Sequence, residues 1–189
     1  MILPIYNCFN PILRNKTNDI KDISDDTVRF INDMIETMYN ADGIGLASNQ
    51  VGDKRSIIII DDTNDENSNR KPIVMINPVI VSSSEEQSDY KEGCLSIPQY
   101  YEIVTRPSEI EVEFIDKNGN NKKIRAGDLL ARVIQHEVDH LNGILFFDRI
   151  TPLKKALAKS KLRKIELNKV IPHYDMMSAT NHVIKGIED

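Results

Sequence analysis

The chain has 189 residues, 40% of them hydrophobic, with a formal net charge of -5 and a pI near 5.4. That length suits one domain with a sizeable core, the acidic balance argues against DNA or RNA as the main ligand, and no run of about 18 apolar residues is present to span a membrane. Met1-Ile2-Leu3-Pro4 lacks the basic start and apolar stretch of a signal peptide, and two cysteines, Cys8 and Cys94, are too few for a disulfide framework, so the expected location is the reducing cytoplasm.

Residues 1–23 read as an extended arm with a turn at Asn10-Pro11. Ser24 offers an N-cap, and Val28, Ile31, Ile35 and Met38, with Met34 beside them, recur at helical spacing, which predicts a helix over 25–41 ended by Asp42-Gly43. The stretch from Gly43 to Gly52 holds three glycines among small residues, a place for close backbone approach; no Lys-Ser/Thr follows, which weakens a phosphate-loop reading. Within it, Gln50 by itself reads most simply as a loop amide bonded to its own backbone. Ser56 to Asp61 is a strongly β-prone run around four isoleucines, a strand buried on both faces. Asp62 to Lys71 reads as a mobile surface loop, and Pro72 to Ser84 as a strand kinked at Asn77-Pro78. A solvated loop follows over Ser82–Ser88, then a short strand over Tyr101–Thr105. Glu109 to Phe114 alternates charged and apolar residues, a half-buried strand that turns at Asn118-Gly119 into a partner over Lys122–Ala126.

The next helix, about Asp128 to Leu141, holds two of the four histidines, His136 and His140, with Glu137 between them. Positions four apart share one helix face, so both imidazoles can reach one ion while the glutamate points beside them. Leu129, Leu130, Val133, Ile134 and Leu141 make the helix buried, where unpartnered polar groups are costly. A metal ion accounts for them. Cys94, in Glu92-Gly93-Cys94-Leu95-Ser96, is a soft donor suited to join that ion, although a lone cysteine is more often a small buried hydrophobe. Arg132 on the same helix reads as a rim residue with its stem packed and its head in water. Thr151-Pro152 starts a last helix over 152–166, rich in lysine, and 171–189 reads as an irregular tail after a single domain over 1–170.

Three motifs, Gly43-x-Gly45-Leu46-Ala47-x-x-Gln50, Glu92-Gly93-Cys94-Leu95-Ser96 and Gln135-His136-Glu137-x-Asp139-His140-Leu141-x-Gly143, resemble in order and spacing those of bacterial peptide deformylases. Ser48 departs from the family's usual Ala, and Tyr101 stands near where many relatives carry a basic residue. The resemblance implies an α+β fold, with small antiparallel β-sheets packed around a central metal-binding helix and a C-terminal helix. It implies a metal-dependent hydrolase that takes the formyl group off the N-terminal formylmethionine of nascent polypeptides. Cys94, His136 and His140 would be the metal ligands, leaving an open fourth position as a catalytic site requires. Glu137 would be general base then acid, with Gln50 and the Leu95 N–H as oxyanion donors. Leu129 and Val133 would line the methionine slot, and Ile44 and Gly45 would pair with the extended peptide. Family usage implies Fe2+, with Zn2+, Ni2+ or Co2+ as alternatives, and a C-terminal helix that touches the ribosome near the exit tunnel; Lys154, Lys155 and Lys159 would meet rRNA phosphates. Two other readings of the same residues are a peptidase acting on internal bonds and a non-catalytic metal site. The second needs a fourth ligand, for which Cys8, His173 and His182 are poorly placed in arm and tail.

Overall fold

The computed structural model describes residues 1–61 and 72–187. The loop expected over 62–71 therefore lies outside the described residues. The chain opens with strand β1 (Ile5–Tyr6) and a 3-10 turn over Pro11–Arg14, where the Asn10 side chain accepts the Ile12 N–H. Helix α1 (Asp25–Asn40) begins where Ser24 Oγ accepts the Thr27 N–H at 3.3 Å. Its buried stripe is Thr27, Ile31, Met34 and Met38; Val28, counted by periodicity as inward, is exposed.

Strands β2 (Gly45–Ala47), β3 (Ile57–Ile60) and β4 (Ile73–Ser83) lead into an antiparallel sheet. All four isoleucines of β3 are fully buried because the sheet is covered on both faces. Ile57 and Ile59 pack with Ile31, Met34 and Met38 of α1, while Ile58 and Ile60 point the other way, into a cluster with Ala131, Val133 and Ile134. Each such burial contributes about 1.5–3 kcal/mol. The kink expected at Asn77-Pro78 is a bulge in one continuous strand: Asn77 has φ 51°, the register with the next partner slips between Ile76 and Val79, and the Asn77 amide bonds both Ile20 N–H and C=O at 2.8 Å.

Strands β5 (Gln87–Cys94) and β6 (Ile97–Pro107) form a separate hairpin. β5 escapes hydrophobic patterning because Glu92 is turned into a buried ionic network and Gly93 and Cys94 line a cleft. β6 is longer than the predicted Tyr101–Thr105, since pairing along all of β5 sustains it. Strands β7 (Glu109–Ile115) and β8 (Asn121–Gly127) complete the five-stranded order β2-β3-β4-β7-β8, joined by the Asn118-Gly119 turn, where Gly119 takes φ 84°. Helix α2 (Asp128–Leu141) packs between that sheet and the β5–β6 hairpin and stops at Gly143, φ 74°.

Helix α3 (Pro152–Glu166), capped by Thr151, follows the predicted bounds. The tail does not follow the expectation of irregularity. Strand β9 (Met176–Met177) pairs in parallel with β1, and β10 (Val183–Ile184) pairs antiparallel with β9. Two-residue strands carry no readable period; their order comes from the partner. The architecture is α+β, as the motifs implied. No helix among the described residues is long and apolar enough to cross a membrane.

Candidate active site

Six polar or charged residues of α2 are buried: Arg132, Gln135, His136, Glu137, Asp139 and His140. Burying such groups costs several kcal/mol apiece unless each finds a partner, so their partners define the site. One helical turn brings the rings of His136 and His140 to 5.0 Å between centroids. Cys94, at the end of β5, comes to 3.2 Å from His140 Nε2, and one donor atom from each of the three residues lies within 4.8 Å of the others. Tetrahedral zinc-type coordination separates such ligand atoms by about 3.3–3.6 Å, from bond lengths of about 2.0–2.3 Å. The donor set therefore fits one divalent transition ion. No fourth His, Cys, Asp or Glu joins the group among the described residues, which is the arrangement of an open site and not of a closed structural one.

Glu92 is the residue that sequence reasoning left without a role. Its Oε2 lies 3.0 Å from His136 Nδ1, which leaves Nε2 for the cluster. The same carboxylate accepts from Arg106 Nε at 2.7 Å, Arg106 Nη2 at 2.9 Å and Arg132 Nη1 at 2.8 Å. Burial opposes its ionisation, but Arg106 and His136 hold it well below the usual carboxylate range. Arg106 continues to Asp139 Oδ2 at 2.6 Å, and Arg149 closes the network on Asp139. Arg132 is thus not a rim residue with its head in water. It is 4% exposed and also donates to Val104 and Ser88 carbonyls, because a guanidinium can be buried when a carboxylate and carbonyls surround it.

The two histidines differ electrostatically. Burial lowers His140 well below its ordinary pKa, and the charge on His136 adds to the effect. For His136 burial acts the same way, but Cys94 and Glu92 outweigh it and raise the pKa to about 10 in the ion-free protein. An ion held by these donors would take the place of that proton. Glu137 is pushed up to about 7 by burial, with His136 opposing. Its Oε2 is buried with no hydrogen-bond partner among the described residues. An acid of that kind at a cleft wall is suited to move a proton near neutral pH.

Gln50 makes the bond to its own loop that its position suggested, and its other amide atom reaches toward Cys94. Its Oε1 accepts the Ala47 N–H at 2.8 Å within its own loop, and that bond turns Nε2 outward, 3.2 Å from Ser96 Oγ and 3.5 Å from Cys94 Sγ. Leu95 sits in the turn between β5 and β6. A Cβ on Gly45 would lie 2.5 Å from Glu137 Oε1 and 2.7 Å from Val133 Cγ1, so β2 approaches the site only as glycine. Ser48 is buried with its hydroxyl donating to the Arg55 carbonyl, so the added oxygen is satisfied. A cavity of about 760 Å³ opens beside the cluster. Ile44, Gly45, Gln50, Cys94, Leu95, Leu129, Val133, His136 and Glu137 all line it; His140 lies beneath. Five cavity-lining residues from the tail, Ile171, Pro172, His173, Tyr174 and Ile187, were not anticipated.

An α+β frame that brings an exposed cleft to a His-Glu-x-x-His helix with one cysteine donor defines a hydrolase with a divalent-metal site. Residues 2–156 match the polypeptide deformylase family. A peptide deformylase of Rhizobium meliloti is 45% identical over 163 residues, 86% of this chain and 93% of the relative. The crystal structure of a peptide deformylase from Legionella pneumophila superposes with a TM-score of 0.81 at 37% identity, covering 89% of this chain and 98% of that one. The Ehrlichia chaffeensis enzyme in complex with actinonin gives 0.80 at 35% identity, over 87% of this chain and 98% of that one. The chain belongs to the polypeptide deformylase family and is an enzyme.

Proposed function

We propose that this protein removes the N-formyl group from the N-terminal formylmethionine of newly synthesised polypeptides, in the cytoplasm, releasing formate and a free amine. The observation that carries the reading is the buried Glu137 Oε2, without a hydrogen-bond partner among the described residues, one residue from His136 at the wall of an open cleft. Cys94, His136 and His140 would hold one divalent ion, Fe2+ by family usage, with Zn2+, Ni2+ or Co2+ as substitutes. When bound, a divalent ion supplies Lewis acidity that brings a water's pKa to about 7.

The chain's own groups do the rest. Glu137 takes the water's proton and returns it to the leaving amine, a role matched by a pKa near 7. The Gln50 Nε2 and Leu95 N–H donate to the carbonyl oxygen as charge develops there. Leu129 and Val133 line a slot for the methionine side chain, and Ile44 and Gly45 lie along the peptide as an added strand. The confined space among Gln50, Leu95 and Glu137 accommodates formyl and excludes the acetyl methyl.

The ribosome is proposed as a docking partner through α3. Lys154 is engaged with Glu102 at 3.0 Å, and Lys155 with the Asp148 carbonyl at 3.0 Å, so the exposed Lys159, Lys161 and Lys164 are better suited to rRNA phosphates. The test is formate release from formyl-Met-Ala-Ser, acetyl-Met-Ala-Ser and unformylated peptides, with protein purified anaerobically and loaded with each ion. Formate from the first peptide alone is expected. Cleavage of internal bonds in unformylated peptides would replace this reading with a peptidase.

A further inference from the structure

The family match ends at residue 156, yet the chain goes on and returns to the cleft. Its return is fixed by backbone bonds: Ile5 N–H to Asp175 C=O at 2.9 Å, Asn7 N–H to Met177 C=O at 2.8 Å and Ile187 N–H to Pro172 C=O at 3.0 Å. Asn10 Nδ2 adds a bond to the Ser178 C=O at 2.8 Å. Between these anchors stands Tyr174, 6% exposed and packed among Ile5, Met34, Met38 and Leu46. Its hydroxyl donates to the Leu95 carbonyl at 2.7 Å.

Leu95 and Ser96 are the two residues that join β5 to β6. From one side the turn is held by Cys8 N–H to Ser96 C=O at 2.9 Å and by Gln50 Nε2 to Ser96 Oγ at 3.2 Å. From the other side it is held by Tyr174. A hydrogen-bond donor aids a developing oxyanion only if it is already aimed and does not have to reorganise. A two-residue turn fixed on one side alone can rock about its strand ends and carry the Leu95 N–H with it. Burial raises the Tyr174 phenol above its ordinary pKa, so the group stays a neutral donor.

We propose that Tyr174 is a positioning residue for the reaction: by holding the Leu95 carbonyl it fixes the turn whose N–H, with the Gln50 amide, faces the substrate carbonyl. This rests on the deformylase reading above. The C-terminal segment is then a working part of the active site.

The test compares the unaltered 189-residue chain with Tyr174→Phe, which removes the hydroxyl and keeps the packed ring, and with Lys185→Ala. The last removes the exposed Lys185–Asp175 pair within the tail, 2.7 Å, and leaves the Tyr174 bond alone. Steady-state formate release from a formyl-Met-Ala-Ser peptide is measured per metal-loaded chain, together with amide hydrogen exchange. In Tyr174→Phe, kcat is expected to fall about three- to tenfold with KM within twofold, the size of one net hydrogen bond realised in the transition state. Exchange should accelerate in peptides covering Glu92 to Pro98 and nowhere else, and Lys185→Ala should match the unaltered protein. Full kcat in Tyr174→Phe overturns the proposal. So does an equal fall in Lys185→Ala, or faster exchange spread over the whole chain, either of which is general loosening. No formate from the unaltered protein overturns the deformylase reading itself and the proposal with it, an outcome distinct from an active parent with a fully active variant.

Discussion

A carboxylate that meets two arginines and a histidine out of water cannot be neutralised cheaply, and Glu92 is such a group. Glu92→Gln keeps the shape but removes the charge that orients His136 and pairs Arg106 and Arg132. Metal affinity is expected to drop about 10–100-fold, read by competition with a chromogenic chelator, as for other partners behind a metal-bound histidine. Stability is expected to fall by about 3–5 kcal/mol, read by urea unfolding, because an uncompensated charge stays buried. Unchanged chelator competition would mean that His136 orients itself without Glu92. Cys94, His136 and His140 could be proposed as donors from the sequence because spacing on a helix and soft-donor chemistry are local properties, and the structure brings the three together. Glu92 could not be assigned, because its meaning depends on Arg106 and Arg132, which lie 14 and 40 residues away. Gln50 was legible only in its bland half, the bond to Ala47; the outward aim of Nε2 needs the position of β5.

Among elements, β2 shows how a backbone rather than a side chain sets a site. Gly45→Ala places a methyl within 2.5 Å of Glu137 Oε1, so either strand or carboxylate must move. Misplacement on the scale of 1 Å can cost about 100-fold in rate, and kcat/KM is expected to fall by about that factor while metal content stays at one ion per chain. Activity within twofold of the parent would show that β2 does not constrain Glu137. Helix α3 makes a prediction of a different kind. Charge reversal of Lys159, Lys161 and Lys164 to Glu is expected to weaken ribosome co-sedimentation, most at low salt and less as salt screens the parent's own contacts, with turnover of a short formylated peptide unchanged. Undiminished co-sedimentation removes α3 as the docking face. Helices α1, α2 and α3 were readable because caps and a 3.6-residue period repeat over several turns. β5, β9 and β10 were not, because polar side chains aimed at a buried network, or strands two residues long, present no pattern until their partners are in place.

For the molecule as a whole, the donors come from distant parts of the chain: Cys94 from the hairpin and the histidines from α2. An ion that binds only the folded state therefore stabilises all of it. At an ion concentration of about 100 times Kd the gain is about 2.7 kcal/mol, which for a chain of this size is roughly 5–11 °C in Tm. Stripping the ion with a chelator should lower Tm by that amount, and restoring Ni2+ or Fe2+ should recover it; a Tm indifferent to chelation would show that no ion bridges the hairpin and the helix. The central claim is that this cluster and Glu137 together hydrolyse a formyl amide. The most direct measurement is formate release from formyl-Met-Ala-Ser by the Fe2+- or Ni2+-loaded protein beside Glu137→Gln, with metal content assayed in both. Formate from the parent, a loss of at least about 100-fold in the variant, and one ion per chain in each are expected. Equal turnover in the variant, or no formate from a parent that carries its ion, would contradict it.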